Sequence, residues 1–466
     1  MLHPSGPQFL RFQSAHPRQR GVVCRLRGSR HRRSSERRSR LNVARLSAFR
    51  VEVVKGHEQY RQVRLAGNRV AARVKHNGGG RVRDVVVVGA GPAGLHAASR
   101  LAAAGLDVAL IEAQAQLGRG AICSGVIGEE AFSRFGLPTS PVLTAILSIQ
   151  AISPSGKTME HLGEAPLARV VDKAAFNRAL GERAAAAGTR IELNQRVESI
   201  ERNKRHVDLC VRNEEGERRV IKARVALIAS GVNGCLNRVL NLARPRQLLR
   251  AMQAEVTLPG QEGSAPTRVF VGRSVAPGAF AWEIPLGHGR ARVGIMTHED
   301  PRAYFLALLR RIAPGLDGSC VQAGQKAIAQ VPVGRSTAER LVAIGEAAGH
   351  VKTSTGGGIY YGLLSAEFAA EVVLRAFRQG DFSASRFSEF ERYWRSAFGN
   401  ELLTGYFARE LAASLPDSAL ERIFELVNSR KILARLNGLL KFDWHRRALL
   451  ATLGSLMLAR GGNGHG

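Results

Sequence analysis

The sequence predicts an α/β protein in which a mainly parallel sheet is interrupted by an antiparallel one and followed by helices. Three observations carry this. The stretch 85–105, VVVVGAGPAGLHAASRLAAAG, sets a Gly-x-Gly-x-x-Gly turn between an apolar strand and a helix. From about 251 to 298 short apolar runs alternate with turns (RVFVG, AFAWEIPL, GHG, RARVGI), the texture of antiparallel strands. After Gly380 apolar positions recur at helical spacing. The fold expected is a Rossmann-like domain carrying an inserted antiparallel-sheet domain and a helical C-terminal region.

Taken in order, NGGG at 77–80 marks a flexible junction before the first strand, 82–88. The glycine turn, a helix over 92–104 and a strand over 107–112 complete one βαβ unit. DKAAFNRALGERAAAA (172–187) reads as a helix stopped by Gly188, and short strands alternate across 189–229. The antiparallel stretch leads to a helix at 301–313, then a strand at 341–345 and a helix at 359–378. Farther on, 416–442 has a capping box at Ser418 and Glu421 and apolar residues at 420, 423, 424, 427, 433, 436 and 440. This divides the chain into a basic extension (1–80), a discontinuous cofactor domain (81–140, 170–250 and 330–380), a substrate domain (141–169 and 251–329) and a helical region (381–466). There is no internal repeat.

Composition narrows the function classes. Of the 466 residues 45% are hydrophobic, enough for a large core. No uninterrupted apolar run approaches the ~18 residues that span a bilayer. The net charge of +30 suggests nucleic acid until it is located: residues 1–83 hold 21 Lys and Arg against 3 Asp and Glu. The Arg- and Ser-rich opening reads as disordered, and fits a start site assigned too early, a transit-like peptide, or a basic tail for anionic lipid or nucleic acid. Because the rest is only mildly basic, nucleic acid is not the expected partner. Five scattered cysteines (24, 123, 210, 235, 320) without a CxxC argue against a disulfide scaffold, a zinc site or a dithiol relay. They fit a reducing, cytoplasmic compartment.

In the first glycine loop, Gly89 permits the tight turn, Gly91 lets a pyrophosphate reach the backbone, and Gly94 allows close helix–strand packing. Pro92 and Ala93 open the helix, whose N–H groups face the phosphates. Glu112, followed by Ala113, closes the second strand, where a carboxylate accepts hydrogen bonds from ribose hydroxyls. This motif alone does not choose between NAD and FAD.

The second loop chooses. In GEAAGHVKTSTGGGIYYGLLSAE (345–367) a triple glycine precedes a helix. An isoalloxazine ring gathers negative charge at its N1/O2 edge on reduction, and backbone N–H groups of Gly356, Gly357, Gly358 and Ile359 at a helix start would stabilise it. Gly345 and Glu346 follow the late strand, with Glu346 placed for the ribityl or pyrophosphate region. Gly231 ends the strand ARVALIASG. The cofactor expected is FAD, and no metal site is expected.

VVVVGAGPAGLHAA, VDKAAFNRAL, ALIASGVNG, IGEAAG and TSTGGGIYYGL resemble, in this order, glutathione-reductase-like flavoproteins of the aromatic-hydroxylase type. Within that group AICSGVI (121–127), PGAFAWEIPLG (277–287) and VKTSTGGGIYYGLLSAE look like the geranylgeranyl reductase family, over about 83–450. The chain departs from the family's pattern at Ser230-Gly231 for Asp-Gly, at Gly345-Glu346 for Gly-Asp, and at Phe280, Trp282, Ile284 and Pro285 for Tyr-x-Trp-x-Phe-Pro. The resemblance implies an FAD-dependent reductase of geranylgeranyl or polyprenyl C=C bonds on a lipid, quinone or chlorophyll-type substrate. It implies Cys123, Trp282 and Tyr360 as catalytic candidates, Cys123 through the family's placement of CSG beside the flavin. Phe280 and Trp282 share a strand face, suited either to an apolar tunnel or to plain sheet core; Tyr360 and Tyr361 suit either the flavin or the packing of their helix. The electron donor, ferredoxin or NAD(P)H, has no fingerprint of its own. RRALLATLGSLMLAR (446–460) suits peripheral membrane contact or an ordinary terminal helix. The alternative functions are an FAD-dependent monooxygenase and a quinone-linked flavin dehydrogenase.

Overall fold

The computed structural model describes residues 81–452 except 233–235, 237–241, 244, 246, 259–264, 317, 319–320 and 430–440. The opening extension, Cys24, Cys235, Cys320, the apolar positions 433, 436 and 440, and the stretch 453–466 lie outside the described residues.

The chain begins with β1 (Arg83–Val88), α1 (Pro92–Ala103), β2 (Val108–Ile111), β3 (Val126–Gly128) and α2 (Glu129–Phe135). Then come β4 (Val142–Ile146), β5 (Ser148–Ile152), β6 (Thr158–Leu162), β7 (Ala168–Val171) and α3 (Lys173–Ala186). β8 (Arg190–Glu192), β9 (Gln195–Arg202), β10 (Val207–Asn213) and β11 (Arg218–Ile228) follow. The antiparallel stretch holds β12 (Leu248–Thr257), β13 (Thr267–Val271), β14 (Phe280–Gly287), β15 (Arg290–Thr297), α4 (Pro301–Ile312) and β16 (Gly324–Ala329). β17 (Thr337–Ala338) and β18 (Leu341–Ala343) return to the first sheet, and α5 (Ile359–Gln379), α6 (Ala384–Trp394), α7 (Asn400–Ser414) and α8 (Asp417–Ser429) follow.

The first sheet runs β17-β18-β11-β1-β2-β8, with the β9–β10 hairpin hung on β11. β1 pairs in parallel with both β2 and β11. Its four valines alternate between two cores because strand side chains point to opposite faces. Val85 and Val87 meet Leu95 and Leu101 of α1, while Val86 and Val88 meet Ile200 and Leu209 of the hairpin. Burial on both faces explains the unbroken apolar run of β1.

The second sheet runs β16-β12-β15-β14-β13-β5-β6. β14 and β15 form the hairpin expected at 280–297, turning at His288 and Gly289. Phe280, Trp282 and Ile284 of β14 share one face, and Ala281 turns to the other, against Phe305 and Leu308 of α4. β5 and β6 join through a parallel β13–β5 pairing. β4, from the same stretch, pairs instead with β7 in a small sheet with β3.

The capping box at Ser418 and Glu421 does not form: Ser418 lies inside α8, and Glu421 reaches the β5–β6 turn instead. Its carboxylate accepts from the Ser155 N–H and hydroxyl, both at 2.7 Å, and from Ser153. Asp417 accepts from Arg273 and Ser274 N–H groups. The local signal loses because two serines and a free backbone N–H satisfy the carboxylate better than its own helix start. The Ser155 hydroxyl, foremost, holds the Glu421 carboxyl down at about 2 from its ordinary 4.5. A depressed carboxyl stabilises the fold fully above about pH 4.5 and loses that contribution as pH falls toward 2. Glu421→Gln is therefore expected to lower Tm near pH 6 and to match the parent near pH 2, read by thermal melts at both pH values.

Candidate active site

The two glycine loops, some 260 residues apart in sequence, meet. Gly345 has φ +59°, and a Cβ there would lie 3.0 Å from the Ala93 methyl, so the late turn is seated directly on the start of α1. Both α1 and α5 begin at a glycine, Gly91 and Gly358, with no side-chain cap. Their unsatisfied N–H groups lie along one cavity.

That cavity measures about 1010 Å³, at the upper end of the usual range for ligand pockets, and its walls change character along its length. At one end are Gly91, Pro92, Ala93, Gly231, the 344–346 turn and 356–359. At the other are Ile149, Ala151, Val269, Trp282, Leu420 and Phe424. Between them lie Cys123, Lys173, Asn177, Gln253 and Lys326.

The glycines separate by purpose. Gly89 has φ +105°, and a Cβ at Gly94 would stand 2.0 Å from the Gly89 carbonyl; these two build the turn and the helix packing and do not line the cavity. Gly91 has φ −71°, open to any residue, and a Cβ there would meet nothing within 4 Å. Neither backbone nor packing demands glycine at 91, which is what a space reserved for a ligand looks like. The cradle fits an FAD pyrophosphate at 91–93 and the ring against 356–359.

Three expected binding groups are already engaged. Glu112 accepts from Ala90 N–H at 2.6 Å and Gln114 N–H at 2.9 Å, bracing the first turn, and neither it nor Ala113 lines the cavity. Gly356 N–H donates to the Lys352 carbonyl at 2.7 Å, and the Gly357 carbonyl accepts from the Lys352 N–H at 2.8 Å. This corrects the expectation that all four N–H groups of 356–359 face the ring: the Gly356 N–H is taken, and those of Gly357, Gly358 and Ile359 are the ones left. Glu346 pairs with Lys326 at 2.6 Å. Burial opposes the Lys326 charge, but Glu346 prevails and raises its pKa.

The catalytic candidates stand differently. Cys123 lines the cavity, its sulfur accepting from Gly125 N–H. Lys173 comes down to about 8, mainly through burial, with the nearby Cys123 opposing that shift. Trp282 lies across Gly294, where a Cβ would be 2.3 Å from the ring. Its indole N–H has no partner among the described residues, and with Phe280 it lines the cavity. Tyr360 reaches the cavity, but its hydroxyl donates to Glu130 at 2.6 Å and accepts from Trp444. Burial, and then Glu130, push its pKa up. Tyr361 is fully buried and donates to the Asp443 carbonyl. The sequence reading missed Lys173, Lys326, Lys352 and Asp443. Lys173 and Lys352 stand in the motifs VDKAAF and VKTSTGGG, and neither motif shows that its lysine is turned into the cavity.

A digeranylgeranylglycerophospholipid reductase of Methanothermobacter thermautotrophicus is 30% identical over 359 residues, covering 73% of this chain and 89% of that protein. The chain belongs to the geranylgeranyl reductase family. A second such reductase, from Methanopyrus kandleri, is 30% identical over 378 residues and 99% of its length. Among solved structures, a geranylgeranyl bacteriochlorophyll reductase-like protein from Thermoplasma acidophilum aligns with TM-score 0.72 at 21% identity, covering 80% of this chain and 96% of that one. A halogenase in complex with FAD shares the scaffold at TM-score 0.56 and 16% identity, covering 78% and 86%. A family model for lycopene cyclase protein matches residues 84–256. This member of the geranylgeranyl reductase family is an FAD-dependent oxidoreductase. Among the described residues no helix is long and apolar enough to cross a membrane, and no group of metal-ligating side chains is present.

Proposed function

We propose that the protein reduces C=C bonds of a geranylgeranyl or other polyprenyl chain on a lipid-like substrate, with electrons from ferredoxin or NAD(P)H. The observation that carries this is one cavity lined by both glycine loops at one end and by apolar side chains at the other. FAD supplies hydride when reduced. An isolated alkene offers no oxygen to polarise, so the chain's own task is alignment and exclusion of water. Phe280, Trp282 and Ile284, on one face of β14, form an apolar wall for the prenyl chain. Gly91, Gly345 and Gly358 keep side chains out of the cofactor's space. Cys123, at the boundary between the two ends, is placed for proton supply or tuning. Cys123→Ala is expected to lower prenyl reduction about tenfold or more with FAD content unchanged, by turnover assay and absorbance; unchanged turnover would remove it from the site.

The proposal includes peripheral membrane contact. Leu403, Phe407 and Leu411 form an exposed stripe along α7, at 50%, 60% and 48% exposure, while Arg409 and Ala412 of the same helix line the cavity. Residues 446–452 are helical with Leu450 exposed; the rest of the apolar terminal segment lies outside the described residues. A chain lacking residues 1–80 is expected to float with anionic liposomes, and Phe407→Asp to lose most of that binding. Absence of flotation by the shortened chain would contradict membrane contact by the body.

A further inference from the structure

Resting on the flavin reading above, we propose that the buried Lys352–Asp443 ion pair sets the reduction potential of the bound flavin, the lysine favouring the reduced form and the aspartate opposing it.

Lys352 is only 3% exposed, yet it lies within the turn that carries the glycine run. Its N–H donates to the Gly357 carbonyl at 2.8 Å, its carbonyl accepts from Gly356, and its Cε lies 3.5 Å from where a Gly357 Cβ would be. The side chain thus runs against the backbone that meets the ring, and it lines the cavity. Nζ donates to the Phe442 carbonyl at 2.5 Å, lies 3.3 Å from Asp443 Oδ1, and sits 4.4 Å from the Phe442 ring centroid.

Asp443 is 6% exposed and also lines the cavity, and its Oδ2 has no hydrogen-bond partner among the described residues. Gly128 makes room for that oxygen: a Cβ there would be 2.1 Å from it. A buried ion pair with one oxygen unsatisfied is a poor device for stability, since desolvation offsets most of the attraction. It is an effective device for fixing the potential at a neighbouring charge in a low-dielectric site.

The other charged and titratable groups around the pair favour this reading. His445 is driven down to about 3 by burial first and Lys352 second, so it is neutral, and its Nδ1 is 3.0 Å from the Ser354 hydroxyl. Glu401 accepts from the His445 and Arg446 N–H groups and carries a pKa raised by burial. Glu130 approaches Asp443 from the α2 side and takes the Tyr360 hydroxyl. Lys352 is the one cation among these groups. Reduction places negative charge at the N1/O2 edge, which a cation in this turn favours and a carboxylate disfavours.

The test is a redox titration of bound FAD in the full-length flavin-loaded protein. Lys352→Met is expected to shift the two-electron equilibrium toward the oxidised form about a hundredfold, or about 60 mV. Asp443→Asn is expected to shift it the opposite way, and Lys352→Arg to move it less than Lys352→Met. A merely structural staple on 441–445 would move both neutral variants in the same direction. If either variant loses its flavin, a polar replacement at the same position, Lys352→Gln or Asp443→Ser, takes its place and must shift the potential in the direction given for that position. Same-direction shifts, or an unmoved potential after replacement of Lys352, overturn the inference while the flavin reading stands. A wild-type protein unable to hold FAD overturns both.

Discussion

Gly91→Val is expected to weaken FAD binding about a hundredfold or more while leaving the fold standing. The backbone at 91 sits at φ −71° and ψ 170°, an extended conformation that valine adopts without strain. A Cβ there would meet no protein atom within 4 Å, so packing does not resist the change. What resists is the ligand: branched methyl groups at the start of α1 would occupy the space where a pyrophosphate meets the helix N–H groups. Gly94→Val supplies the contrast. Its Cβ would lie 2.0 Å from the Gly89 carbonyl, so that variant should lose about 1–3 kcal/mol or more through overpacking and melt earlier. Isothermal titration of apo protein with FAD, beside thermal melts, separates the two. Equal affinity of Gly91→Val and wild type would remove the first loop from the cofactor site.

Ala151→Trp is expected to cut prenyl reduction about 100-fold without disturbing the flavin. Ala151 pairs with Val269, Val269 pairs with Trp282, and Trp282 pairs with Gly294, forming one cross-strand row. Ala151, Val269 and Trp282 all line the apolar end of the cavity. Trp282 is accommodated because Gly294 beside it is bare. A second indole in this row fills the space assigned to the prenyl chain and displaces the double bond from the ring, and alignment is the main resource for an unactivated alkene. FAD content should match wild type, because β5 lies at the other end of the cavity. Normal turnover in Ala151→Trp would show that the chain lies elsewhere.

What was legible in the sequence followed from short-range physics. The valine run of β1 announces a strand buried on both faces, and Gly89, Gly91 and Gly94 announce a turn whose constraints are local. The 280–297 hairpin was equally plain from its alternation and its Gly-His-Gly turn. The unread parts depend on partners distant in sequence. Glu421 looked like its own helix's cap because nothing in 416–442 hints at Ser153 and Ser155. Lys326, on β16, becomes a site residue only when the second sheet carries it to Glu346. Lys352 and Asp443, 91 positions apart, carry no sign in either segment that one buries the other's charge. Residues 141–169 fall in one predicted domain, yet β4 and β5, separated by Leu147 alone, enter different sheets.

The central claim is that both glycine loops hold one FAD whose ring faces a prenyl chain. The most direct measurement combines an absorbance spectrum of the purified protein with mass spectrometry of a polyprenyl lipid after mixing with the dithionite-reduced enzyme. The account predicts flavin bands and product masses rising in steps of two hydrogens. A well-folded protein that stays colourless with added FAD, or a loaded and reduced one that leaves the lipid's mass unchanged, would contradict it.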